Sequence, residues 1–366
     1  MSLISFARGV PGPDLLPIDE FGECARAALA RDGVTALNYG PPLGYPPLRQ
    51  WIADRHEVPV ERVMVTNGSL QAFNFLARHY RESGTKVFVE APCYDRSLQI
   101  LRRVGMDVES IPLGEDGLDL DVLERRLAAA DGPRLLYTIP TFQNPSGRTL
   151  SEPNRRRLLD LARASGLTIL EDDPYGLLRF AGEPLPRLFE LAGGEGVLLL
   201  SSFSKTVAPG IRVGYALLPE ELMPAMQTFV FENYVSPVMF VEATLFEFLE
   251  RGRFDPSIEK VREGLRERRD AMIAALAREL PEGTRWNEPE GGYFLWVDLP
   301  GGLDGGDLLA RADEVGVTFC MGADFYFAGG GESSLRLAFS FATPAEIDEG
   351  IARVGRLVHE ALSVAA

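Results

Sequence analysis

The chain has 366 residues, a net charge of −16, 46% hydrophobic and 25% charged residues. That is ordinary globular composition, and it excludes a wholly disordered chain. The negative charge argues against a nucleic acid or an anionic membrane surface as partner. Cys24, Cys93 and Cys320 are the only cysteines and make no CxxC pair. This excludes a disulfide scaffold and a zinc ribbon and suits a reducing compartment.

Length suggests about two domains. The N-terminus, Met1-Ser2-Leu3-Ile4-Ser5, shows no secretory signal, and no apolar run approaches the length of a bilayer span. A cytoplasmic protein is expected. The first ~40 residues are rich in Gly and Pro and are expected to drape over the rest. From Arg62 to Leu218, short apolar runs alternate with helical patterns: 63–65, 86–89, 134–137, 167–170, 197–200 and 213–216. Strands apolar on both faces imply a mostly parallel sheet covered by helices. A helix carries Leu120, Leu123 and Leu127, another spans 70–81, and Ser151 is a candidate cap for a third. After Pro219 long helices fill about 220–280, and strands are expected at 293–297 and 335–339. Thr343-Pro344-Ala345-Glu346 reads as a capping box. The stripe Ile347, Ile351, Val354, Val358, Leu362 follows it. The three histidines show no metal-ligand spacing, and no metal site is assigned.

Of the 37 basic residues only Lys86, Lys205 and Lys260 are lysines. Lys86 opens a strand and Lys260 lies on a charged helix, both as surface lysines do. Lys205 differs. It follows a strand end in Ser201-Ser202-Phe203-Ser204-Lys205, with Pro209-Gly210-Ile211-Arg212 after it. Hydroxyls and a guanidinium beside an amine suit a phosphorylated carbonyl compound. Glu171-Asp172-Asp173-Pro174-Tyr175 ends another strand. It reads as an acidic turn or a helix cap, and also as a carboxylate where α/β sheets bind ligands. Asn144-Pro145-Ser146-Gly147 reads as a turn, or as an amide beside a ligand oxygen. In Asn67-Gly68-Ser69-Leu70 a capping serine and a phosphate site at a helix N-terminus are compatible readings.

These segments, in this order, resemble the fold-type I pyridoxal 5′-phosphate (PLP) enzymes, class I/II aminotransferases, and most nearly the kynurenine/2-aminoadipate aminotransferase branch. The matching stretches include Tyr39-Gly40 through Gly44-Tyr45, Glu90-Ala91-Pro92-Cys93-Tyr94, Ser202-Phe203-Ser204-Lys205, Gly291-Gly292-Tyr293-Phe294 and Leu335-Arg336-Leu337, and they cover almost the whole chain. The resemblance implies a mostly parallel seven-stranded sheet in a large domain plus a smaller α+β domain. The division would be an N-terminal arm at 1–40 contributing to the small domain, a cofactor domain at 41–255 and a small domain at 256–366.

By the same resemblance Lys205 is the Schiff-base lysine and general base, and Asp172 pairs with the ring nitrogen. Tyr175 and Asn144 bond the ring oxygen, Tyr94 stacks on the ring, and Pro174 lies beside it. Ser69, the Leu70 backbone, Ser202, Ser204 and Arg212 hold the phosphate, and Tyr39 reaches the phosphate of a neighbouring subunit in a homodimer with shared sites. Arg336, with Asn144 and Gly40, binds the substrate, Arg336 by clamping its α-carboxylate. The reaction implied is ping-pong transamination between an L-amino acid and a 2-oxo acid, plausibly 2-oxoglutarate. Decarboxylases, lyases and cyclases share the scaffold, and the C-terminal half of MocR-type regulators resembles it too. Two departures bear on substrate. The branch usually carries a substrate-selecting helix before the Ile4-Ser5-Phe6-Ala7 segment, and this chain starts there. Arg8-Gly9 stands where Gly-Gly is common, so Arg8 is either a solvated arginine or a reader of a distal carboxylate.

Overall fold

The computed structural model describes residues 2–365. A short first strand, β1 (Ile4–Ser5), precedes the main sheet. That sheet contains β2 (Val63–Thr66), β3 (Lys86–Ala91), β4 (Asp107–Gly114), β5 (Gly117–Leu118), β6 (Arg134–Thr138), β7 (Leu167–Asp172), β8 (Val197–Ser202) and β9 (Gly214–Leu217). Their spatial order is β2-β9-β8-β7-β6-β3-β4-β5. The run from β8 to β4 is parallel, whereas β9 lies antiparallel to both neighbours. Strands β2 and β8 are buried along their whole length, as their unbroken apolar sequences require.

The expected count of seven strands is corrected to eight. The extra one is β5. The turn Glu115-Asp116 reverses the chain, and Gly117 takes φ +91° there, which a side chain would resist. The helix Leu120–Ala129 begins where the Asp119 carboxylate accepts the Val122 N–H at 2.9 Å. Ser151 holds the N-cap position of Glu152–Ser165, but its side chain makes no capping bond.

The smaller unit is built on β10 (Arg285–Trp286), β11 (Phe294–Asp298), β12 (Val317–Thr318), β13 (Cys320–Met321) and β14 (Ser334–Ala338). Four of these form an antiparallel sheet in the order β10-β11-β14-β13, and β12 pairs in parallel with β1. The capping box is present: the Thr343 N–H donates to Glu346 Oε2 at 2.8 Å and the Glu346 N–H to Thr343 Oγ1 at 3.3 Å. Along the helix it opens, Ile347, Ile351, Val354 and Val358 are fully buried, each contributing about 1.5–3 kcal/mol.

The N-terminal segment does more than drape. Ile18–Ala36 is a helix, broken at Asp32, that packs on the helix Met239–Glu250 through Cys24 and Ala28. The buried face is made of small residues, while Ile18 and Val34 point to solvent, so no apolar stripe marks it in the sequence. Among the described residues, no helix is long and apolar enough to cross a membrane.

Candidate active site

The parallel strands β3, β6, β7 and β8 end at the same edge of the sheet, and their last residues are Ala91, Thr138, Asp172 and Ser202. Ligands of α/β sheets bind outside that edge. Here it opens on a cleft of about 490 Å³, closed on the other side by Phe294, Cys320, Phe325 and Arg336 of the smaller unit and by the segment Ala7–Val10. The size suits a small molecule.

Lys205 lies in this cleft. Its Nζ donates to the Gly9 carbonyl at 2.5 Å and sits 5.4 Å from the centre of the Tyr293 ring. Burial, then the Arg336 and Arg212 charges, lower its pKa to about 8, against an opposing pull from Asp172. The amine therefore sheds its proton more readily than a solvated lysine.

Asp172, at the end of β7, is 7% exposed. Its Oδ2 accepts from Tyr137 Oη at 2.8 Å, and that hydroxyl accepts from Ser97 Oγ at 3.0 Å. Its Oδ1 has no partner among the described residues. Burial, reinforced by Asp173, raises its pKa to about 7, while the Tyr137 bond and Lys205 oppose the rise. An orphaned buried carboxylate oxygen leaves room for an N–H donor.

Around the end of β8 the hydroxyls and the guanidinium interlock. Ser202 Oγ donates to Ser204 Oγ at 3.0 Å, which accepts from Arg212 Nη1 at 3.3 Å. The helix Ser69–Glu82 aims its N-terminus at the same place, with Gly68 rather than Ser69 as N-cap. Gly68 has φ +85°, a conformation that favours glycine, and a Cβ on it would displace the end of the Arg212 side chain, whose Nη2 would stand 2.4 Å away.

Arg336, on β14, donates to Asn144 Oδ1 at 3.0 Å, Ala7 O at 2.6 Å and Cys320 Sγ at 3.1 Å. The Phe294 and Phe325 rings lie 4.3 and 4.8 Å from its guanidinium carbon. Its Nε is buried without a partner among the described residues. Asn144 precedes a cis proline bond, and Tyr175 packs edge-on to Phe294. Tyr94 is pushed up to about 12 by burial.

The cleft thus brings together Lys205, Asp172, Tyr175, Ser69, Leu70, Tyr94, Asn144, Pro174, Ser202, Ser204, Arg212, Arg336 and Arg8. It does not include Tyr39 or Gly40. Tyr39 is 81% exposed, and Gly40 packs on Met239 and donates to Ser236 Oγ at 3.3 Å. Sequence reasoning missed Tyr137, whose hydroxyl sits in an otherwise apolar strand. It also missed Phe325, Asp95 and Asp324, which only folding brings to the cleft.

PLP, implied by the resemblance, fits these residues. The unpartnered Asp172 Oδ1 suits a protonated ring nitrogen. The cradle around Ser204, Arg212 and the glycine-gated helix end suits a phosphate. The amine of Lys205 stands in the same cleft.

Comparison with known proteins gives the same answer. The family described as aminotransferase class I and II matches residues 16–354. A 2-aminoadipate transaminase of Thermus thermophilus is 40% identical, over 99% of this chain and 91% of that protein. An aromatic-amino-acid aminotransferase of Thermococcus litoralis is 34% identical, over 98% and 88%. Among solved structures, an alpha-aminoadipate aminotransferase from T. thermophilus, complexed with N-(5′-phosphopyridoxyl)-L-leucine, superposes with a TM-score of 0.94 at 39% identity, covering 99% of this chain and 93% of that one. The chain therefore belongs to the class I and II aminotransferases, fold-type I enzymes that work with pyridoxal 5′-phosphate.

Proposed function

We propose that the protein moves the amino group of an L-amino acid to a 2-oxo acid such as 2-oxoglutarate, in two half-reactions at the Lys205 cleft. The observation that carries this reading is the alignment of Lys205, the orphaned Asp172 oxygen and the ring-flanked Arg336 guanidinium in one cavity. When bound, PLP supplies the carbonyl that takes up the amino group and the ring that holds the electrons freed at Cα. Arg336 takes the α-carboxylate, and a planar fork does this better than an ammonium. Asp172 keeps a proton on the ring nitrogen. Lys205 Nζ removes the Cα proton and delivers it on the other side of the transfer, which its lowered pKa favours. Tyr175 and Asn144 hold the ring oxygen.

Arg8 lies at the cleft mouth without an ion pair among the described residues, and we assign it the distal carboxylate of an acidic substrate such as the oxo acid. The test is a panel of amino acids mixed one by one with purified holoenzyme while the cofactor spectrum is followed. Several are expected to convert the cofactor to its aminated form. Arg8→Ala is expected to slow the glutamate half-reaction about three- to fivefold relative to a neutral amino acid. A silent panel sinks the transaminase reading, and an unmoved ratio sinks the Arg8 role.

The enzyme is further proposed to act as a cytoplasmic homodimer. Leu37, Tyr39, Val235 and Val238 are exposed apolar residues on two segments joined through Gly40 and Ser236. Covering them with a second copy would put Tyr39 at the partner's phosphate cradle and Gly40 beside the partner's substrate. Sedimentation at assay concentration is expected to give a dimer, and Tyr39→Phe to weaken cofactor binding about tenfold. An active monomer contradicts this. The domain division at 40/41 and 255/256 is proposed with it, the second boundary falling next to the start of the helix Phe254–Glu279.

A further inference from the structure

We propose that Gln143, oriented by the buried carboxylate of Glu90, is a positioning residue for the transfer: it fixes Asn144 between the cofactor's ring oxygen and Arg336. This rests on the transaminase reading of the cleft and deepens it.

Glu90, Gln143, Asn144 and Ser146 are all buried. Glu90, near the end of β3, makes no ion pair among the described residues. Its carboxylate is met only by neutral donors: Thr138 Oγ1 at 2.5 Å, the Ile139 N–H at 3.2 Å and Gln143 Nε2 at 2.9 Å. A buried carboxylate without a cation is costly. Here its charge decides which way an amide points. Gln143 Nε2 also donates to Pro92 O at 2.8 Å, and Gln143 Oε1 accepts from the Ser146 N–H at 2.8 Å. Two acceptors at one end of the amide and an N–H at the other allow one orientation. Reversed, the amide would set its oxygen against a carboxylate and a carbonyl.

That amide braces the cleft wall. The Gln143 backbone closes the turn too: its N–H donates to Arg148 O at 2.8 Å, and its carbonyl accepts from the Gly147 N–H at 2.6 Å. Asn144 sits inside this turn. Pro92 lies two residues before Tyr94, so one side chain joins the strand ends that carry Asn144 and Tyr94. Asn144 Oδ1 accepts from Arg336 Nη1 at 3.0 Å, and its Nδ2 makes no hydrogen bond among the described residues. With the oxygen engaged, Nδ2 is the group left to donate to the ring oxygen. One amide thus serves the ring and the α-carboxylate clamp together, and both tasks need it placed within about 0.5 Å. Neither end of that amide is tied to its own loop among the described residues. Its place therefore depends on the backbone that Gln143 holds.

The experiment uses the holoenzyme of Gln143→Met, which keeps the length and loses both hydrogen-bonding ends, of Gln143→Glu, and of the exchanged pair Glu90→Gln/Gln143→Glu. An N–H donor at the ring oxygen favours its anionic, proton-free form. Gln143→Met is therefore expected to raise the pH midpoint of the resting holoenzyme's absorbance change by about one unit. It should also lower kcat/KM of the first half-reaction about tenfold or more, with KM for the amino acid rising because Arg336 loses its aligned partner. Gln143→Glu sets two carboxylates face to face and should do more harm. Adding Glu90→Gln restores a donor between them and is expected to recover about tenfold and to bring the pH midpoint back toward the wild-type value. A merely structural brace would lower the urea midpoint of Gln143→Met and leave the pH midpoint and KM of its folded fraction unmoved. That result overturns the proposal and leaves the transaminase reading standing. So does an exchanged pair no better than Gln143→Glu or, should that variant not fold, no better than Gln143→Met. A wild-type holoenzyme that converts no amino acid fails the transaminase reading, whereas the pH midpoint, which needs no turnover, still decides the placement of Asn144.

Discussion

Lys205→Ala is expected to lower kcat by about 10⁴-fold or more, because it removes both the attaching nucleophile and the proton-transferring base. No other lysine is placed to substitute. Lys86 opens β3, at the end of the sheet away from the cleft, and is held by Asp107 at 3.0 Å and Glu109 at 3.5 Å, and Lys260 is exposed on the helix Phe254–Glu279. Borohydride treatment of the wild type is therefore expected to fix one pyridoxyl group per chain, on the peptide containing Lys205, and none on the variant. PLP itself should still bind the variant, because the Ser204–Arg212 cradle and Asp172 do not depend on the amine. The measurements are single-turnover kinetics, peptide mapping and cofactor binding by absorbance. A variant with turnover within a hundredfold of wild type, or a label on another lysine, overturns the assignment.

The scarcity of lysine is also why so much of this site can be read from sequence. With two of three lysines explained by their surroundings, the third becomes conspicuous, and the buried parallel strands on either side announce themselves as unbroken apolar runs. Other parts are silent for physical reasons. Strand β4 is largely half-exposed, and Asp107-Val108-Glu109-Ser110 carries no clear period. The helix Ile18–Ala36 buries small side chains, so its packing face leaves no hydrophobic signature. Glu90 illustrates a third limit. It is buried, accepts from Gln143 Nε2 at 2.9 Å and from the Ile139 N–H at 3.2 Å, and so ties β3 to the loop that carries Asn144. Nothing in Glu90-Ala91-Pro92 tells a reader of the sequence which loop that carboxylate will hold. Tyr39 and Gly40, conspicuous by resemblance, lie away from this chain's own cleft.

Asp172→Asn is expected to act in opposite directions on stability and on catalysis. In the protein without cofactor, burial raises this carboxyl from 3.8 to about 7. The folded state thus holds its proton more tightly than the unfolded state does. The group costs nothing below about pH 4, where both states are protonated, and destabilises the fold as pH rises, by up to about 4 kcal/mol once above pH 7. Asparagine has nearly the same shape, keeps an oxygen for the Tyr137 hydroxyl and never ionises. Cofactor-free Asp172→Asn should therefore resist urea better than cofactor-free wild type at pH 8, with the difference closing toward pH 4.5. Glu90, Glu171 and Glu242 are also raised by burial and give both proteins a falling stability, so the difference between them isolates Asp172. With cofactor bound the order reverses. The carboxylate then has a cationic partner for its free oxygen, and losing it should lower kcat about 10²–10³-fold, as loss of one well-placed electrostatic partner does. A cofactor-free variant no more stable than wild type at pH 8 shows that burial does not hold this carboxyl's proton, and a variant that keeps turnover within tenfold shows that the carboxylate is not the ring nitrogen's counter-charge.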